Sequence, residues 1–83
     1  MRIEVTQEHI DKGRRHCLRL CPIALALREA TGRVWSVSFD CLRPHRGRFY
    51  SANLTRSFML RFDAGKPCEP FSFDLEEIYH EQY

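Results

Sequence analysis

The chain begins with alternation. Ile3 and Val5 are apolar while Arg2 and Glu4 are charged, the period of a half-buried β-strand. Thr6 follows as a side-chain acceptor suited to cap a helix over Gln7–Lys12, with Gly13 at its end. Residues 14–20 carry Arg14, Arg15, His16 and Arg19 with no clean period and read as a basic connector. Pro22 then suits the first position of a second helix, where its missing N–H costs nothing, and Gly32 ends that helix. Its apolar residues run almost all round, so it is expected to be the central core helix.

From residue 33 to 40, Trp35, Val37 and Phe39 alternate with Ser36 and Ser38, predicting a strand. Pro44 and Gly47 mark residues 43–47 as a turn, after which residues 48–52 return antiparallel, so a hairpin is expected over 33–53. Asn53 or Thr55 caps a third helix with Leu54, Phe58 and Phe62 on one face; Gly65 and Pro67 stop it. Phe71 and Phe73 flank Ser72 in a last strand, and residues 74–83 form an acidic tail, either a loose extension or a short helix. The order β-α-α-β-β-α-β implies a single α+β domain over residues 1–83, with helices on one face of a mostly antiparallel sheet.

At 83 residues, a chain of this apolar content is one domain and buries roughly 60–65% of its unfolded surface. Little core is then spare for a deep catalytic pocket, which favours binding over catalysis. The longest aliphatic run, residues 23–27, is far short of the roughly 20 residues of a membrane helix, and the N-terminal region shows no signal-peptide core. A soluble, cytoplasmic protein is expected.

Charge changes the picture more than composition does. The net charge of +2 hides a division: residues 1–62 hold twelve cations against five acids, net +7, and residues 63–83 one cation against six acids, net −5. Eleven of the thirteen cations are arginine, whose planar fork makes bidentate contacts with carboxylates and phosphates. Recognition of an anionic or acidic partner follows. The candidate contact residues are Arg14, Arg15 and Arg19 of the connector and Arg43, Arg46 and Arg48 of the hairpin, with Tyr50 as an aromatic anchor. The same arginines on phosphates would make a direct nucleic-acid-binding module, the alternative reading.

Cys17 and Cys21 at C-x3-C, Cys41 and His45 at C-x3-H, and His16 allow a zinc site to be drawn, but structural zinc ligands usually come in tight C-x2-C knuckles. The cysteines read instead as reduced, small apolar residues, and neither metal nor cofactor is expected. Cys21 at a helix N-terminus, with His16 or His45 as base, is the best candidate for catalysis, yet no nucleophile–base spacing, carboxylate pair or phosphate loop is recognisable. No enzymatic activity is expected.

The segments Val5-Thr6-Gln7-Glu8-His9-Ile10, Cys21-Pro22-Ile23-Ala24-Leu25-Ala26, Phe62-Asp63-Ala64-Gly65-Lys66-Pro67 and Pro70-Phe71-Ser72-Phe73 resemble a family of small proteins from bacteriophages, prophages and some bacteria. The likeness covers most of the chain but rests on caps, turns and core positions, and the basic hairpin of residues 42–50 falls outside it. It implies a non-enzymatic phage-type protein, monomer or homodimer, that binds a host protein or ribonucleoprotein complex. By analogy with other phage proteins of this size, it would act as an inhibitor of the anti-CRISPR kind.

Overall fold

The computed structural model describes residues 1–46 and 49–75, and its first strand and first helix meet in a reciprocal cap. Strand β1 (Arg2–Val5) buries Ile3 and Val5 and exposes Arg2 and Glu4. At its end Thr6 Oγ1 accepts from the His9 N–H at 3.3 Å, and the Thr6 N–H donates to His9 Nδ1 at 3.0 Å. His9 thus does in helix α1 (Gln7–Lys12) what Glu or Gln usually does at this position. Because Nδ1 accepts, the proton sits on Nε2, which lies 2.5 Å from Glu29 Oε1 and fastens α1 to the next helix. Gly13 ends α1 with an ordinary φ of −69°; a Cβ there would stand 2.5 Å from Pro22 Cδ, so close approach selects glycine.

Helix α2 (Pro22–Thr31) has the predicted bounds. Cys21 is its N-cap, Pro22 its first residue, and Gly32 at φ 74° supplies the left-handed end. It buries Ile23, Ala24, Ala26 and Leu27 and packs against α1, β1 and strand β2 (Trp35–Val37). The rest of the core comes from Cys21, Trp35, Val37, Leu42, Ala52, Met59 and Phe73.

The hairpin departs from expectation. Ser38 ends β2 early: its Oγ accepts from the N–H groups of Asp40 and Cys41 and donates to Cys41 O, closing a turn over residues 38–41. Phe39 is therefore a turn residue, 40% exposed, and Cys41 opens strand β3 (Cys41–Pro44) where a strand end was expected. Pro44 lies within β3, opposite Trp35. Ser38 N–H donates to Cys41 O and His45 N–H to Val34 O, so residues 38/41, 36/43 and 34/45 are the hydrogen-bonded pairs and Pro44 needs no N–H toward β2. The returning strand is only β4 (Tyr50–Ser51), paired to β3.

Helix α3 (Arg56–Asp63) starts after Thr55, the later of the two expected caps, so Leu54 precedes it and is 50% exposed; the inner stripe is Thr55, Met59 and Phe62 where Leu54, Phe58 and Phe62 were expected, with Phe58 half-buried. Strand β5 (Phe71–Asp74) returns antiparallel to β1. The result is an α+β domain whose strands form two antiparallel sheets, β1-β5 and β2-β3-β4, where a single sheet was expected. Asp74 closes β5; the remainder of the expected acidic tail, from residue 76, lies outside the described residues, as does Arg48. Among the described residues no helix is long and apolar enough to cross a membrane.

Candidate functional site

Where β2 begins and β3 ends, the chain forms an open cleft of about 760 Å³ lined by Arg19, Arg33, Arg43 and Arg46, with His45, Val34 and Trp35. Each arginine arrives differently. Arg19 comes from the connector, whose neck is closed by Arg14 N–H to Leu20 O at 2.8 Å and pinned to β2 by Val37 N–H to Leu18 O at 2.8 Å. Arg33 follows the Gly32 cap of α2, and its Nη1 donates to the main-chain carbonyl of Arg46 at 3.2 Å. Arg43 stands opposite Ser36 on the outer face of β3, with its guanidinium carbon 5.1 Å from the ring centroid of Phe49.

The wall behind them is rigid. Trp35 is 3% exposed; its Nε1–H donates to Thr31 Oγ1 at 2.8 Å, and that hydroxyl donates to Leu27 O at 2.7 Å, locking β2 to the last turn of α2. Tyr50 pairs with Leu42 on the core side of the sheet, half-buried, with its ring 5.5 Å from that of Trp35. The ring beside the outward arginine is that of Phe49.

Among the described residues no carboxylate lines the cleft. Among those residues Arg2 pairs with Asp74 and Lys12 with Glu8, while Glu29 and Asp63 are held by His9 and His16, so of the arginines only Arg2 takes part in an ion pair. The cleft therefore gathers four positive side chains that no acid of the described chain neutralises.

The predicted contact residues divide. Arg19, Arg43 and Arg46 come together here, joined by His45, which the sequence offered only as a metal ligand or base, and by Arg33, which sequence reading did not single out; Arg33 directly after a helix-ending glycine was the available signal. Arg14 and Arg15 line a separate hollow of about 670 Å³ with Asp11, Phe62, Lys66 and Cys68. There Arg15 covers Gly65, just past the C-terminus of α3: a Cβ on Gly65 would lie 3.3 Å from Arg15 Nη2. A cation at that place offsets the helix dipole, a structural use.

Cys21 is no activated nucleophile. Burial pushes its thiol up to about 11, outweighing the Ala24 and Ile23 N–H groups that favour the thiolate, while nearby Asp63 and Cys17 push it further up. Its sulfur serves as the α2 cap, accepting from Ala24 N–H at 3.4 Å. His16, one proposed base, has φ 56° and is held by Asp63, whose Oδ1 accepts its backbone N–H at 3.0 Å. The four cysteines are free thiols, and among the described residues no three His, Cys, Asp or Glu side chains gather as metal ligands.

No family model, no curated protein and no solved structure matches this chain.

Proposed function

We propose that the protein is a non-enzymatic interaction module that docks through its arginine cleft onto an acidic surface of a protein or ribonucleoprotein assembly. What carries this reading is the cluster of Arg19, Arg33, Arg43 and Arg46 around one cleft that, among the described residues, no carboxylate lines. Arginine forks on a rigid wall are the usual energetic centres of interfaces. Their surroundings favour a protein surface over bare nucleic acid. A single-strand binder stacks bases on open rings, whereas Trp35 is buried, Tyr50 packs on Trp35 and Phe49 lies against Arg43. The exposed apolar groups in the cleft and beside Arg19 are aliphatic: Val34, 43% exposed, and Leu18 and Leu20 on either side of Arg19 in the chain, 54% and 37% exposed; the exposed ring of Phe39 stands in the 38–41 turn, outside the cleft lining. Arginine is enriched in protein contacts, and their buried centres are more apolar than the surrounding surface. The resemblance to phage and prophage proteins narrows the reading to a stoichiometric inhibitor of a host assembly, of the anti-CRISPR kind.

The test is affinity capture from host lysate with the wild type, Arg43→Glu/Arg46→Glu in the cleft, and Arg14→Glu/Arg15→Glu in the separate hollow. The cleft variant should lose the partner and the other should keep it. A cleft variant that retains every partner overturns the proposal. Tight binding of naked RNA or DNA that weakens steeply with salt would instead establish the nucleic-acid alternative.

A further inference from the structure

Among the described residues, the sheet of β1 and β5 leaves one side of β1 unpaired. Leu75 N–H donates to Met1 O at 2.9 Å, Ile3 lies opposite Phe73 and Val5 opposite Phe71. In an antiparallel ladder this parity turns the main-chain groups of residues 1, 3 and 5 toward β5. Those of Arg2 and Glu4 point the other way, to the open edge, and both residues are exposed. The edge stops at Thr6, whose N–H is already given to His9.

We propose that β1 pairs with β1 of a second copy, antiparallel about a two-fold axis at Ile3, to give a four-stranded sheet. In this register Arg2 faces Glu4 of the partner subunit, and Glu4 faces Arg2 of the partner subunit. Each such pair exchanges two main-chain hydrogen bonds and sets a cation beside an anion. The competing registers fail. A slip of one residue brings inward-bonded positions against outward-bonded ones. The next registers that keep the hydrogen-bond parity oppose Arg2 to Arg2 or Glu4 to Glu4, like charges directly across the ladder. The other open edge, on β5, sets only Ser72 against Asp74 and has no charge complement. The edge is short, so the contact is smaller than the ~1,000 Å² of a stable complex, and the dimer forms at roughly high-micromolar concentrations and above.

Sedimentation equilibrium from about 10 µM to about 1 mM spans the range where such a dimer forms. The wild type should pass from monomer to dimer. Glu4→Arg, which sets like charges across the axis, and Glu4→Pro, which removes the outward N–H together with the carboxylate while sparing the hydrogen bonds of β1 to β5, should each weaken the dimer at least about tenfold. Arg43→Glu/Arg46→Glu should leave it unchanged, separating this contact from the cleft. The decisive sample mixes Arg2→Glu with Glu4→Arg. Each alone opposes like charges, but together every cross-axis pair is complementary, so the mixture should dimerise where neither component does. Circular dichroism identifies an unfolded variant, and if Arg2→Glu unfolds, the two Glu4 variants decide. A wild type monomeric throughout, a dimer that neither Glu4 variant moves, or folded components that stay monomeric when mixed would overturn the proposal.

Discussion

Arg33 and Arg46, both lining the cleft, are joined by a hydrogen bond from Arg33 Nη1 to the Arg46 main-chain carbonyl at 3.2 Å. Two like-charged residues thereby stay together, because the acceptor is a neutral backbone group and not a second side chain. The contact is exposed, so Arg33→Ala should cost only about 0.5–1 kcal/mol in urea unfolding. Its larger effect should be local: faster amide exchange around Arg46, with the Val34–His45 pairing of the ladder intact. A loss above ~2 kcal/mol would show that the segment after β3 belongs to the cooperative core.

Two glycines flank the core helix for different reasons, and their alanine variants should show it. Gly32 needs φ 74° but has open space where a Cβ would stand, so Gly32→Ala should cost about 1–2 kcal/mol of backbone strain. Gly13 has an unremarkable backbone, yet its Cβ would meet Pro22 Cδ, Cγ and N at 2.5–2.8 Å. A proline ring at the first position of a packed helix cannot yield, so Gly13→Ala should cost about 2–3 kcal/mol or more. Chemical denaturation of the two variants side by side checks the order; a reversed order would mean that α1 moves away from α2 at little cost.

The reciprocal cap on α1 gives a third comparison. Thr6→Ala removes one acceptor and should cost about 1 kcal/mol. His9→Ala should cost more, about 2 kcal/mol, because it also orphans the Thr6 N–H and releases Glu29. His9→Gln can still reach back to the Thr6 N–H and should recover part of that loss. Thermal unfolding of the three variants measures it, and equal losses for His9→Ala and His9→Gln would deny the capping role.

The bounds of α2 were legible because Pro22 and Gly32 act through the backbone itself and the run between them is apolar. β1, α1 and β5 were legible for a similar reason, a clean period bounded by a cap or a turn. β3 was hidden by Ser38: as one side chain in an alternating run it reads as an outward strand position, but its hydroxyl binds three backbone groups and folds the chain back. In α3 the cap at Thr55 was one of the two expected, but counting Leu54 into the helix turned the expected inner face away from Thr55 and Met59. The cleft was half legible. Arg43 and Arg46 were visible as a basic segment, but Arg33 joins them only through the β2–β3 register, and Arg14 and Arg15 part from Arg19 because the connector closes on itself at Arg14 and Leu20.

Cys21 ties stability to alkaline pH. The folded chain holds this thiol protonated up to about 11, whereas the exposed thiol of the unfolded chain titrates near its ordinary value of 9.0. Below pH 9 both states bind the proton and Cys21 contributes nothing to the pH dependence. Between pH 9 and 11 the unfolded chain releases it and the folded chain does not, so stability falls with rising pH by up to about 1.4 kcal/mol per unit from this group. Cys21→Ser keeps an oxygen acceptor for the Ala24 N–H and has no group titrating in that window. Its stability should therefore decline less steeply than the wild type's between pH 9 and 11 in urea unfolding, and below pH 9 the two slopes should coincide. In the folded wild type, Cys21 should also be the last of the four thiols to react with an alkylating reagent at neutral pH, because burial removes both access and thiolate. Parallel alkaline slopes for the two proteins, or early alkylation of Cys21 in the folded state, would show that the α2 cap is open to solvent.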